Sequence, residues 1–387
     1  MKLAATESYV TNPPTNPTLR CMALAVARGR WRVALIQCHL LWTQMGSNLM
    51  CWQSSWRGAL TAGLICCVAV TATAQDVDTK LTINSLAEVD EDFHLSGEYQ
   101  GYIYDPSRGR CPAGVQVVAL GNGKFGGMQY ACGLPGTGWN RGDRIKLEGE
   151  REGAIARLAG EGTRIEVVNG VATVYLQDQV AGRLPKVHRM SPTLGQPAPA
   201  NAYTLFDGYD TSQFKDGELT EDGLLKEGTE LLPKFRDFTL HVEYRLPYMP
   251  HARGQGRSNS GIYLQSSYEV QVLDSFGLEG AINECGALYE YRQPDQNMCL
   301  PPLSWQTYDL TFKSPRFDQD GNKIRNARIT VLHNGVAVHN DFEIEHKTGA
   351  GKQESPTLWP IKFQDHGNPV RFRNIWLIDL EGPTQVF

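Results

Sequence analysis

The 387-residue chain has no surplus of basic charge, with 37 Lys and Arg against 42 Asp and Glu for a net charge of −5. That balance excludes a nucleic-acid partner, because phosphate binding needs a basic footprint. There is no helical periodicity of useful length and no repeat of fixed period, which argues against bundles, solenoids and propellers. Past residue 74 no CxxC occurs and the histidines show no metal-ligand spacing, which argues against a thiolate zinc site. Charged residues make up 20% and aromatics 9% of the chain, enough apolar content to bury a core and too little charge for disorder.

The apolar run that does occur, about residues 58–70, is too short to span a bilayer as a permanent helix. It follows Met50 and a basic stretch ending at Arg57, and it closes on Ala72-Thr73-Ala74. This is the order of an export signal. The reading is Met50 as true start, residues 1–74 as a signal segment cleaved before Gln75, and a mature protein in the periplasm or outside the cell, with no transmembrane segment after removal. Six of the 37 basic and one of the 42 acidic residues lie in that segment, leaving a mature net charge of about −10. Five of the nine cysteines go with it. The remaining four fall two per domain, which favours disulfides Cys111–Cys132 and Cys285–Cys299 in an oxidising compartment.

The rest reads as all-β. Residues 76–185 carry short alternating runs such as VQVVAL (115–120), RIKLEGE (144–150) and TRIEVV (163–168), separated by glycine-rich turns. They predict a small antiparallel accessory domain. Residues 186–200, KVHRMSPTLGQPAPA, form a proline-rich linker. From there to residue 387 the strands lengthen: FTLHVEYRL (238–246), SGIYLQS (260–266), YEVQVLD (268–274), WQTYDLTFKS (305–314), ARITVLHNGVAVHND (327–341) and VRFRNIWLIDL (370–380). Asn334-Gly335 predicts a tight hairpin and Asp320-Gly321 a second turn. Two long loops, 247–259 and 275–304, interrupt the pattern. Long strands joined by such loops predict a two-sheet jelly-roll sandwich with an open concave face.

The order and wording of NSGIYLQSSYEVQVLDSF (259–276), CGALY (285–289), WQTYDLTF (305–312), ARITVLHNGVAVHN (327–340) and FQDHGNPVRFRNIWL (363–377) resembles the 3-keto-disaccharide hydrolase family. LFDGYDTSQF (205–214) resembles its opening strand. The likeness covers about residues 203–381 and leaves the accessory domain without an assignment. It implies a concanavalin-like jelly roll that cleaves glycosides already oxidised at C3. A C3 ketone acidifies the C2 proton, so a base can remove it, the C1–O bond breaks by elimination, and water adds afterwards. Such a site needs a base, a stabiliser of the enolate and hydrogen-bonding groups for hydroxyls.

The residues themselves suggest where this occurs. In the strand at 268–274, Glu269 and Gln271 share one face while Val270 and Val272 face the core. Asp274 has the opposite parity and joins them only through a bulge. The same alternation also describes a wetted outer face. Around the turn at 367–369, Gln364 and His366 share one parity and Arg371 and Arg373 another, so one hairpin would present all four on the same face. His366 is the first candidate for base or acid, although a loop-capping histidine fits equally, and the arginines are candidates for electrostatic support or for a surface ion-pair ladder. The expected catalytic set is His366, Glu269, Arg371 and Arg373. The expected substrate-binding set is Gln271, Asp274, Gln364, Asn259 and Tyr289. A divalent cation held by Glu269, Asp274 and His366 is a further candidate. Two other readings stay open: a non-catalytic carbohydrate-binding sandwich, and a laminarinase-like glycosidase with Glu269 and Asp274 as its carboxylates. His333, His339 and His346 are expected at the surface and Trp376 in the core.

Overall fold

The computed structural model describes residues 78–382. The proposed export segment, with Met50, Ala74 and Gln75, lies outside the described residues. No helix among the described residues is long and apolar enough to cross a membrane.

The accessory region is a closed barrel of eight antiparallel strands from Gly97–Asp105 to Gln179–Val187, each bonded to the next and the last to the first. Closure leaves no edge strand open to another chain. Tyr99, Val115, Val117, Leu147, Leu158 and Ile165 are among the side chains that fill the interior. The sequence shows the alternation that makes the strands, but closure depends on pairing Gly97–Asp105 with Gln179–Val187, about 80 residues away.

The C-terminal region is a sandwich of one five-stranded and one seven-stranded sheet. Both sheets give alternate residues to one core: Leu240, Val242 and Tyr244 from one, Ile262, Val270 and Val272 from the other. Their apolar burial is the main stabilising term. The expected hairpin joins Ala327–His333 to Val336–Ile344, with Asn334 and Gly335 at φ 50° and 77°. That left-handed pair is what a two-residue hairpin turn requires.

Between barrel and sandwich, residues 188–200 lie as a strap. Arg189 grips the buried Glu98 of the barrel, Nε to Oε2 at 2.6 Å, and donates to the Pro135 carbonyl. Farther along, Ser191 and Thr193 hydrogen-bond Thr307, and Thr193 also donates to Asp309, both on the seven-stranded sheet. The two long loops dock on the barrel. Arg253 donates to the Leu120 carbonyl, Gly136 N–H donates to Gln296, and Arg144 pairs with Glu279 at 3.1 Å.

Two expectations are corrected here. Cys111, Cys132, Cys285 and Cys299 are all free thiols. Cys285 and Cys299 nevertheless lie side by side, their thiols hydrogen-bonded to each other; Cys285 Sγ also sits 3.4 Å from the Tyr244 hydroxyl and 3.3 Å from that of Tyr308, and Cys299 Sγ reaches the Leu273 and Leu300 carbonyls. Cys132 occupies left-handed backbone at φ 68°, its N–H bonded to the Pro112 carbonyl. Of the three histidines expected at the surface, His333 and His339 are fully buried. Burial holds their pKa values down at about 3 and about 4, so both stay neutral.

Truncating Arg189 to Met leaves the Glu98 carboxylate buried without its cation. The expected loss is about 3 kcal/mol, read as a lower urea midpoint with an unchanged slope.

Candidate active site

The strand Tyr268–Val272 pairs with Ser260–Leu264 so that Tyr263 stands opposite Glu269 and Gly261 opposite Gln271. On its other side Ser260–Leu264 pairs with Lys362–Phe363, setting Lys362 opposite Tyr263. With Ile262, Val270 and Phe363 committed to the core, the alternation of the strand forces Lys362, Tyr263 and Glu269 into one row across the outer face. Gln271 and Gln364 flank that row.

The long loops roof this face over Glu269 and Gln271, while Lys362 at the far end of the row is exposed. Glu269 is 2% and Gln271 1% exposed. Gln255, from the loop 247–259, accepts from Gln271 Nε2 at 3.0 Å and from Asn259 Nδ2 at 3.1 Å. Its own amide donates to the Asn283 carbonyl at 2.7 Å. Gln364 Nε2 reaches the Tyr263 hydroxyl at 3.4 Å, and Tyr289 N–H donates to the Glu269 carbonyl. Three side-chain carbonyl oxygens of this cluster have no partner: Asn259 Oδ1, Gln271 Oε1 and Gln364 Oε1. Buried acceptors left unmade cost free energy. All three belong to side chains tied through Gln255 or Tyr263 to the row at Glu269.

Burial pushes the Glu269 carboxyl from its ordinary 4.5 up to about 7, with the Tyr263 hydroxyl and the Lys362 ammonium pulling the other way. The carboxylate has room because residue 261 has no side chain. A Cβ there would come within 2.2 Å of Glu269 Oε1. A carboxyl held near neutrality in largely dry surroundings has the property a general base or acid requires.

The structure brings together Glu269, Gln271, Gln364, Asn259 and Tyr289. It does not bring the other expected residues to them. His366 is exposed at the tip of a turn and makes no hydrogen bond; the residues on either side, Gln364 and Asn368, turn inward to Ser260 and Asn259 instead. Asp274 lies at the strand end in a buried pair with Arg257, Oδ2 to Nε at 2.6 Å, so it is neither free for a substrate nor a second glycosidase carboxylate. Arg371 and Arg373 belong to Arg371–Asp379 in the other sheet. Phe372 takes the core side, so both guanidinium groups face away from Glu269, Arg371 onto Glu227 and Arg373 onto Glu243. The trio Glu269, Asp274 and His366 does not converge, and among the described residues no group of three His, Cys, Asp or Glu is arranged for a metal ion.

The arginine face has its own buried polar set. His241 bonds Asp309 at 2.6 Å, lies 3.7 Å from Glu243, and stacks on Trp376 at 4.9 Å. Burial works to lower the His241 pKa, but the hydrogen bonds to Asp309 and Glu243 outweigh it and raise it. Burial likewise favours a neutral Glu243, yet His241, Asn374, the Gly195 N–H and Arg373 hold it at about 2. Trp376 is buried beneath the strap, donating to the Gln196 carbonyl, not inside the sandwich core. Every acceptor in this set is engaged by the chain itself, so it serves to fasten the strap.

Sequence reasoning missed Tyr263, Lys362 and Gln255. Parity carried the signal for the first two: if Ile262 and Phe363 are core, their neighbours are not. Nothing local marks Gln255, whose place is set by its loop.

Residues 201–378 match the model of the 3-keto-alpha-glucoside-1,2-lyase-like domain. The chain belongs to this family through its C-terminal domain. Similar solved structures include three from Parabacteroides distasonis, each titled a "putative glycosyl hydrolase". The first is 31% identical, covering 48% of this chain and 86% of that one, with a TM-score of 0.43. The second and third are 19% and 20% identical, each covering 46% of this chain and 94% and 99% of theirs, with TM-scores of 0.33 and 0.32. No curated protein matches the chain. Family membership makes the jelly roll a carbohydrate-active domain, and the barrel lies outside the matched residues.

Because the folded Glu269 carboxyl titrates near 7 and the unfolded one near 4.5, the native state binds the extra proton between those values. Stability from this group is therefore full in acid and falls as pH rises through that window. Glu269→Gln is expected to match the parent at pH 4 and to exceed it by roughly 2 to 3 kcal/mol at pH 8, measured by denaturant titration at both pH values.

Proposed function

We propose that the protein is an exported glycoside hydrolase acting on sugars oxidised at C3, with Glu269 as its base. The observation that carries this reading is a buried carboxyl poised near pH 7 beside three unpartnered carbonyl oxygens. The Glu269 carboxylate takes the proton from C2 of the 3-keto sugar. The electron pair passes to the C3 oxygen as an enolate, then returns to expel the group on C1, leaving a C1=C2 enone. Water adds its oxygen to C1 and gives up a proton to the departed alkoxide, while the proton held by Glu269 returns to C2, so the sum is hydrolysis. The Lys362 ammonium and the Tyr263 hydroxyl are the donors nearest the base and are assigned to the enolate oxygen. Asn259, Gln271 and Gln364 accept sugar hydroxyls, and Tyr289 forms part of the wall.

A glycosidase with paired carboxylates is disfavoured, since Asp274 is locked to Arg257. A purely binding sandwich gives no reason for a desolvated carboxyl at the centre of the site. The test compares a chromogenic glucoside with its 3-keto derivative. Cleavage of the ketone alone is expected, with kcat/KM rising with pH about a midpoint near 7. Glu269→Gln is expected to lower kcat by about a hundredfold or more, and His366→Ala to leave it within about twofold. Equal cleavage of the unoxidised glucoside would overturn the reading.

A further inference from the structure

A cavity of about 330 Å³ lies where the barrel meets the loop 275–304, a size and position that suit a small-molecule site at a domain seam. It is separate from the Glu269 site, and no residue of the row at Glu269 lines it. One wall is the barrel's connection from Lys124–Ala131 to Arg144–Glu152, which supplies Trp139, Arg141 and Arg144. The other wall is the sandwich loop, which supplies Glu279, Asp295 and Gln296. Hydrogen bonds fix the two walls to each other. Gly136 N–H donates to Gln296 Oε1 at 3.1 Å, and Arg144 donates to the Glu279 carbonyl at 3.0 Å and to its carboxylate at 3.1 Å. Neither domain makes this site alone.

The cavity joins an aromatic ring to a balanced polar lining. Trp139 packs on Met128, Tyr130 and Leu134, stays only partly buried, and lines the cavity. Its N–H finds no acceptor among the described residues. Two arginines and two carboxylates stand around it. Arg144 is matched by Glu279, and Asp295, held by Arg292 at 2.6 Å, lies 3.8 Å from Arg141. Hydrogen-bonding capacity is left over all the same. Gln296 spends its oxygen on Gly136 and keeps its amide N–H groups. The exposed Gln293, also in the lining, and Arg141 make no side-chain hydrogen bond among the described residues.

We infer that this cavity is a second, non-catalytic carbohydrate site, which holds a neutral pyranose unit of a glycan against Trp139. An anion would meet Glu279 and Asp295, and a cation would meet the two arginines. A wholly apolar ligand would cover Gln293, Gln296 and Arg141 without giving them partners. A neutral pyranose has an apolar C–H face that an indole can cover, and hydroxyls that both donate and accept. The inference does not depend on cleavage at Glu269. It gives the barrel a part in holding the glycan.

The test titrates the full chain with maltose, cellobiose and lactose, none of which carries a ketone, by isothermal calorimetry. At least one is expected to bind with a Kd on the order of 1 mM. Trp139→Ala is expected to weaken that binding about tenfold or more, and Trp139→Phe to keep it within about threefold of the parent. Gln293→Ala removes a side chain that bonds to nothing in the fold, so it is expected to keep stability and weaken binding about threefold. If Trp139→Ala does not fold, Gln293→Ala decides the question. Glu269→Gln is expected to leave this Kd unchanged, and Trp139→Ala to leave turnover of a methyl 3-keto-glucoside unchanged. Absence of turnover in the parent bears on Glu269 alone. The inference is overturned if none of the three disaccharides binds at concentrations up to about 20 mM, or if Glu269→Gln abolishes the binding. A Kd that Gln293→Ala and a folded Trp139→Ala both leave unchanged overturns it too, as does tighter binding of an anionic digalacturonate than of all three neutral sugars.

Discussion

The withdrawal of one carboxylate from water organises this molecule. Glu269 lies on what would ordinarily be the wet face of an antiparallel sheet, yet it is 2% exposed. Covering that face takes two long loops, and long loops do not hold their shape unaided. The barrel steadies them. Its strand ends receive Arg253 and Arg257 through the Leu120 and Ala119 carbonyls, and its loop at Gly136 receives Gln296. Removing the barrel would take those contacts away, and with them the dielectric that raises the pKa of Glu269.

The buried pair Arg257–Asp274 belongs to the same scheme. A buried ion pair is a weak source of stability because desolvation offsets the attraction, but it fixes geometry. It ties the loop residue just before Ser258 and Asn259 to the end of the strand that carries Glu269 and Gln271. The strap does comparable work on the opposite sheet, where it covers His241 and Glu243 and reaches back to Glu98. Both arrangements hold irregular segments in place through charged groups that are themselves buried.

Much of the fold was legible because strand alternation is a local property. The parity of Glu269 and Gln271 against Val270 and Val272 follows from five consecutive residues, and the Asn334-Gly335 turn from two. His366, Arg371 and Arg373 were misplaced because parity was carried through the turn at 367–369, as if both flanks belonged to one sheet. In fact the chain changes sheets there, from Lys362–Phe363 to Arg371–Asp379. Asp274 was misjudged because its partner Arg257 lies 17 residues away. His333 and His339 looked like surface residues because histidine can be buried only where nonlocal partners accept it, such as Tyr244 and Gln306 for one and the Gly286 carbonyl for the other.

By itself, then, the sequence determined the all-β class, the strand positions, the family of the C-terminal domain and the pair Glu269 and Gln271 as neighbours on one face. Those follow from residue spacing along a single strand or from motif order. Only the tertiary structure decided that the accessory strands close into a barrel and that Tyr263 and Lys362 complete the row beside Glu269. It alone separated the arginines from the site and left three amide oxygens without partners. These facts depend on which distant segments meet, and on how much water they leave between them.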